Sequence, residues 1–360
     1  MKIVCAGGGT LGSVTPLLAV IEELQLRRHD LEVEWWGTQD GPERALVEHL
    51  GIKFSPIPAG KLRRYQSFHN FTDLGRIAAG LVTALWRFGQ QPADMVLTAG
   101  SFVAVPVGWA AWCYHIPLLV HQLDVRPGLA NRLLAPFARR ITVTFPDSLA
   151  AFPRAKTVLT GNPVRQSFLK PPTVALARAQ LGLGPNQPVL LVVGGGTGAI
   201  FLNQLIARTL PQLTKVAQVV HVTGQFKLSR LAKVNNYHAT PFALDTLPLL
   251  AAADVVVTRA GMMFLSELAV LGKAVVCVPI PGSQQEDNTA LLARHDAAVV
   301  LQQNTLTDQA FVATVLELLR DHSKQQRLGN NLRDFFPARA AQIVAREVLT
   351  ILQARDKLKM

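Results

Sequence analysis

At 360 residues the chain exceeds one ordinary domain and suits two. Apolar residues at 49% can fill two cores, and charged residues at only 17% exclude low-complexity disorder. A net charge of +12 points to an anionic partner, but no basic run is interleaved with aromatics, so nucleic acid is not the expected one.

The chain opens in a strand, Lys2–Ala6, with no signal peptide. Gly7, Gly9 and Gly12 then match GxGxxG, with Pro16 near the start of a helix continuing through Leu26. An NAD site needs an acid at the end of strand two. Strand two, Val33–Trp36, ends in Gly37-Thr38, and Glu34 lies inside it, which weakens the NAD reading. Lys61–Tyr65, KLRRY, opens a basic segment. Asp73–Phe88 reads as a helix with an apolar stripe of Leu74, Ile77, Leu81, Leu85 and Phe88, flanked by Val82 and Trp86. That stripe suits a core-facing helix, or one resting on an anionic membrane with Lys61, Arg63 and Arg64 drawn to headgroups.

A strand at Asp94–Thr98 leads into AGSFVAVP, residues 99–106, and a helix to Tyr114. The uncharged run Ser101–Val120 is long enough to raise a membrane span, but Pro106 and Pro117 interrupt it. It reads instead as a buried helix followed by a buried strand, Leu118–His121. Asp124–Asn131 is a loop entering a helix, Ile141–Thr144 a strand, and Val158–Thr160 leads into GNPVR, Gly161–Arg165. KPPT, Lys170–Thr173, reads as a linker. Cys5, Cys113 and Cys277 each sit in an apolar run and read as buried free thiols in a reducing compartment. No DxD motif or Cys/His cluster suggests a bound metal.

After the linker the pattern restarts. Pro188–Val193 is an unbroken apolar run of the kind found in buried parallel strands. GGGTGAIFLN, Gly194–Asn203, follows, and then a helix over Leu202–Leu213. Strand, glycine turn and helix together aim backbone N–H groups at an anion, although any α/β turn can look the same. PVLLVVGGGTGA echoes KIVCAGGGTLGS, and Ala253–Pro279 echoes Ala93–Val120. The echoes predict an α/β fold of two Rossmann-like parallel-sheet domains facing across a cleft, with ligands at the carboxyl ends of the strands. A last helix with a basic tail follows Arg339. Arg259-Ala260-Gly261 opens a helix carrying Glu267, a carboxylate able to accept two sugar hydroxyls. Gln284, Gln285 and Asn288 read as a glycine-led loop suited to an uncharged polyol.

GNPVR at 161–165, GGGTGAIFLN at 194–203, TRAGMMFLSE at 258–267 and QQEDNTA at 284–290 resemble the MurG family of GT-B glycosyltransferases, with KLRRY and HQLDVRPGLANR at 121–132 in support. The resemblance implies an inverting transfer of GlcNAc from UDP-GlcNAc to lipid I, the undecaprenyl-diphosphate-linked muramoyl peptide, making lipid II for peptidoglycan. It implies no cofactor, and a peripheral place on the anionic cytoplasmic face of the cell membrane. It implies an acceptor- and membrane-binding domain over 1–165, a donor-binding domain over 166–340, and a helix over 341–360 packing back on the first. Carried over, Gly195, Gly196 and Thr197 cradle the donor diphosphate, Glu267 takes the ribose hydroxyls, and Arg259 sits by the nucleotide. Gln284 and Gln285 hold GlcNAc, Asn288 supports them, and Arg165 lies near the hinge. Gly9, Thr10, Leu11, Gly12, Ser13, Gly100 and Ser101 meet the acceptor diphosphate. The family's first loop reads GGTGGH where this chain has GGTLGS, so Ser13 replaces a histidine. Its second reads GGYVSGP against GSFVAVP, and a Glu followed two residues later by an Asn becomes Gln122 and Asp124. The donor loop has Gly196 where a serine is common. Ser13 cannot be the base because its hydroxyl is too weak an acid, which leaves Asp124, the first choice, and His121. A related transferase with another lipid or polysaccharide acceptor, an NAD-dependent oxidoreductase and a non-catalytic membrane-bound protein are the competing readings.

Overall fold

The computed structural model describes residues 1–60, 69–195, 199–224, 234–243 and 245–359. The chain divides into one unit of Met1–Arg165 with Ala338–Met360 and a second of Gln166–Pro337.

The short β-branched runs become parallel strands, because only strands covered on both faces can be apolar throughout. The first unit holds β1 (Lys2–Ala6), β2 (Glu32–Gly37), β3 (Lys53–Pro56), β4 (Met95–Thr98), β5 (Leu118–Gln122), β6 (Arg140–Val143) and β7 (Thr157–Leu159). Its helices are α1 (Thr15–Gln25), α2 (Glu43–His49), α3 (His69–Gln90), α4 (Ala104–Cys113) and α5 (Leu129–Leu134). The strand order is β3-β2-β1-β4-β5-β6-β7, all parallel. The second unit has β8 (Val189–Val193), β9 (Gln218–Val222), β10 (Tyr237–Thr240), β11 (Val255–Thr258), β12 (Ala274–Cys277) and β13 (Val299–Val300). Around them lie α6 (Val174–Gln180), α7 (Ile200–Leu213), α8 (Leu247–Ala252), α9 (Met262–Val270), α10 (Gln284–Arg294), α11 (Asp308–Arg320) and α12 (His322–Phe335). Its order is β10-β9-β8-β11-β12-β13, again parallel. The order reverses direction between β1 and β4 in one sheet and between β8 and β11 in the other. Adjacent βα loops diverge there and leave a crevice for a ligand.

The last helix, α13 (Ala340–Lys359), belongs to the first unit. Val344, Ala345, Val348, Ile351 and Leu352 face inward at helical spacing. Arg140 pairs with Glu347 at 2.9 Å, and Arg355 donates to the Ala93 carbonyl at 3.2 Å.

Several expectations are corrected. Cys5 and Cys277 are buried but Cys113 is exposed, because it ends α4 on the helix's outer side. The Asp73–Phe88 helix extends over His69–Gln90, and its inward face is Asp73, Gly80, Ala84 and Phe88, with Leu81 and Leu85 packed beside them. Leu74 lies 60% exposed, together with Val82 and Trp86. Small residues mark the buried side: a Cβ at Gly80 would overlap the Pro58 carbonyl, so bulk was the wrong guide to orientation. Lys61, Arg63 and Arg64 lie outside the described residues. KPPT lies within the second unit, where Thr173 caps α6 by accepting from the Leu176 N–H at 3.3 Å.

Candidate functional site

In the first unit, the loops after β1 and β4 meet at the point of reversal. The first runs through Gly7–Thr10 into a short 3-10 turn, Leu11–Ser13, and then α1. Ser13 is nearly buried and donates to the Thr10 carbonyl at 3.4 Å. Gly100 and Ser101 both take left-handed backbones, with φ of 92° and 102°. A serine there is strained, and such strain collects at functional loops. The Ser101 hydroxyl spans the loops by donating to the Gly8 carbonyl at 2.8 Å. Gly9, Thr10, Leu11, Gly12, Ser13, Gly100 and Ser101 thus lie on two linked loops.

The end of β5 carries the two base candidates, and the structure separates them. His121 is 1% exposed. Its Nε2 faces the Asn162 Oδ1 at 3.0 Å and its Nδ1 the Thr142 Oγ1 at 2.9 Å. An amide oxygen only accepts, so Nε2 carries the proton and the Thr142 hydroxyl donates to Nδ1. Burial pushes the imidazole pKa down to about 4. With both nitrogens engaged inside the sheet, His121 has no lone pair for a substrate proton. That arrangement favours Asp124 over His121 for the role of base, and Asn162 of GNPVR holds the ring in place.

Asp124 is half-buried in the following loop. Gln122 holds that loop, its Nε2 donating to the Asp124 carbonyl at 2.8 Å. Asn131, on α5, was missed by sequence reasoning. Its amide donates to Gln122 Oε1 at 2.7 Å and to the His121 carbonyl at 3.1 Å, while its buried Oδ1 has no partner. Its place two residues into a helix after a β-strand loop was the available signal.

In the second unit, Gly195 follows β8 with φ of 98°, and Arg259 follows the adjacent β11. The Thr258 hydroxyl donates to the Val193 carbonyl at 2.8 Å, tying the two strand ends together. Gly196 and Thr197 lie outside the described residues. Arg259 is 8% exposed, and its Nη1 donates to the Val278 carbonyl at 2.8 Å, beyond β12. Its guanidinium lies over the Phe201 ring at 5.7 Å, a contact the sequence did not reveal. Its Nε is buried without a partner among the described residues, and burial lowers its pKa. Among the described residues no carboxylate pairs with it. A desolvated cation lacking an anion binds an incoming phosphate strongly.

Glu267 is buried on α9, whose N-cap is Gly261. Gln284, Gln285 and Asn288 are not in a loop: they open α10, because Ser283 caps it by accepting from the Gln285 N–H at 3.2 Å. The Asn288 amide donates to the Ala260 carbonyl at 3.2 Å, holding the Arg259–Gly261 turn against α10. Gln285 Oε1 accepts from the Ile280 N–H at 3.0 Å. The structure therefore joins Gly195, Arg259 and Asn288 through three adjoining strand ends. Arg165 is half-buried at the end of the first unit.

Residues 3–143 match the glycosyltransferase family 28 N-terminal domain and residues 189–343 its C-terminal domain. A UDP-N-acetylglucosamine–N-acetylmuramyl-(pentapeptide) pyrophosphoryl-undecaprenol N-acetylglucosamine transferase of Clostridium kluyveri is 32% identical over 358 residues, 98% of this chain and 99% of its own. The transferase of the same name from Lachnospira eligens is 35% identical over 331 residues, 89% of this chain and 91% of its own. The crystal structure of Acinetobacter baumannii MurG superposes with a TM-score of 0.71 at 26% identity, covering 97% of this chain and 99% of that one. With both domain matches and a relative aligned from end to end, the chain belongs to glycosyltransferase family 28, in its MurG family of N-acetylglucosamine transferases.

Proposed function

We propose that this chain transfers GlcNAc, with inversion, from UDP-GlcNAc to a hydroxyl of the muramoyl sugar of lipid I, releasing UDP and forming lipid II. The end-to-end similarity to transferases of that name carries the reading. The second unit takes the donor. Glu267 receives the ribose hydroxyls, Arg259 and Gly195 face the diphosphate, and Gln284 and Gln285 face the sugar. The acceptor hydroxyl attacks the anomeric carbon as the bond to the diphosphate breaks, and UDP leaves with the electron pair. Arg259 stabilises the developing charge. Asp124 takes the hydroxyl proton, since His121 is closed off within the sheet. The linked loops at Gly9–Ser13 and Gly100–Ser101 meet the acceptor.

The cytoplasmic face of the membrane is the proposed place of action. Among the described residues, no helix is long and apolar enough to cross a bilayer. Leu74, Val82 and Trp86 on α3 and Trp112 on α4 are nevertheless more than half exposed. Exposed tryptophans on packed helices suit an interfacial contact, and a net charge of +12 favours anionic headgroups.

The test is UDP release from UDP-GlcNAc by the purified protein with a lipid I analogue. Release that depends on the analogue is the expected result. UDP-GlcNAc binding without lipid I-dependent release would turn the reading to another acceptor, for which the altered Ser13, Gln122 and Asp124 positions give reason. Asp124→Asn should lower kcat by about 10²–10⁴ with KM for UDP-GlcNAc little changed. A kcat within about threefold of the parent would remove Asp124 from the role.

A further inference from the structure

The first glycine loop resembles a phosphate-binding turn, yet the structure fills its anion position from within. Glu43, the first residue of α2, is 0% exposed. Its Oε2 accepts the Gly9 N–H at 3.1 Å, and its Oε1 accepts the Thr38 N–H at 2.7 Å and the Thr38 hydroxyl. Among the described residues no lysine or arginine pairs with it. Backbone closes around the carboxylate: a Cβ added at Gly8 or at Gly41 would overlap it. Gly8-Gly9 follows β1 and Thr38 follows β2, so Glu43 sits between neighbouring strand ends, where a dinucleotide fold receives an anionic ligand. Buried carboxylates are costly unless several donors converge on them, and here the donors are those a phosphate would use.

We infer that Glu43 is an internal anion, a positioning residue whose carboxylate substitutes for a bound phosphate and fixes the shape of the first glycine loop. The Gly9 N–H is committed to Glu43, so that one donor is not among those the loop offers to the acceptor. A nicotinamide dinucleotide finds no room for its pyrophosphate there. Glu43 also sets the Gly8 carbonyl that accepts from Ser101, so one carboxylate positions both loops proposed to meet the acceptor. That last step rests on the proposed acceptor role.

Two variants of the full chain test the inference. Glu43→Ala opens the anion position, and Glu43→Gln keeps the shape while removing the charge. Thermal unfolding is followed in chloride, formate and inorganic phosphate at equal ionic strength. Formate or phosphate should raise the Tm of Glu43→Ala, relative to chloride, by several degrees more than that of the parent, whose own response to phosphate comes from the Arg259 site. This arm is independent of any acceptor, so it decides the inference even if the parent proves inactive on lipid I. In the lipid I assay, Glu43→Ala should raise KM for the acceptor analogue about tenfold, leave KM for UDP-GlcNAc within about twofold, and recover on adding formate. A folded Glu43→Ala protein indifferent to both anions would overturn the inference, as would a parent stabilised to the same degree. If Glu43→Ala does not fold, Glu43→Gln decides: a raised acceptor KM with an unchanged donor KM supports the assignment, and parent-like constants for both substrates refute it.

Discussion

Acidification from pH 7.5 to 5 should destabilise both units through two histidines that the fold keeps uncharged. His121 lies between Thr142 and Asn162 in the first unit. His221 lies between Tyr237 Oη at 2.9 Å and Asn203 Oδ1 at 3.1 Å in the second. Burial pushes each from 6.5 down to about 4. The unfolded chain therefore takes up a proton near pH 6.5 that the folded chain refuses until about pH 4. The stability from each neutral ring is fully present above pH 6.5 and is lost progressively as pH falls through that window. One pKa unit is worth about 1.4 kcal/mol, so each ring should cost about 1.4 kcal/mol by pH 5.5 and about 3 kcal/mol in full. Urea unfolding between pH 7.5 and 5 measures the loss, and His121→Gln or His221→Gln should flatten the slope of the unit concerned. Glu34, held low by Ser55 and Lys2 against the opposing effect of burial, adds its own loss only at lower pH. A midpoint constant from pH 7.5 to 5, or ring C2 protons titrating near 6.5 by NMR, would refute the argument.

Three further outcomes follow from the geometry. Glu267→Ala should weaken UDP-GlcNAc binding by about 2–4 kcal/mol in calorimetry, the value of two hydroxyl contacts to a charged acceptor, and unchanged affinity would remove it from the site. Ser101→Gly relieves a left-handed serine worth about 1–2 kcal/mol but loses two hydrogen bonds, to the Gly8 carbonyl and from the Val103 N–H, worth about 1 kcal/mol each, so Tm should stay within about two degrees of the parent, and a fall of many degrees would show that the serine backbone carries little strain. The pair Trp86→Ser and Trp112→Ser should lower binding to anionic vesicles at least about tenfold without changing donor affinity, whereas undiminished binding would end the interfacial reading of α3 and α4.

The central strands were legible because they are buried on both faces: β1, β4, β5, β8, β11 and β12 each read as an apolar run. The edges were not. β3 carries Lys53 and Pro56, and β10 is only half covered, so neither shows a hydrophobic signature. The glycine turns announced the loops that follow β1 and β8, but glycine says nothing about what fills the space it leaves. Glu43 escaped notice because a carboxylate opening a short helix looks like ordinary dipole compensation. His121 looked like chemistry in the sequence, yet a ring's role depends on whether both nitrogens are already engaged, as they are here with Thr142 and Asn162. The amide-rich turn at Gln284 read as loop because Ser283 was not recognised as a cap.

The return of α13 to the first unit has a consequence for synthesis. All seven strands of that unit are translated before the second unit begins, but the helix that packs against α1 is made after Pro337. The face of α1 that α13 covers stays open while some 170 further residues are translated. The second unit, contiguous from Gln166 to Pro337, has its whole sequence available sooner. The first unit is thus an unfinished body with an apolar seam until α13 is made, and a chain truncated after Pro337 should carry one unit able to resist protease and one still open to it.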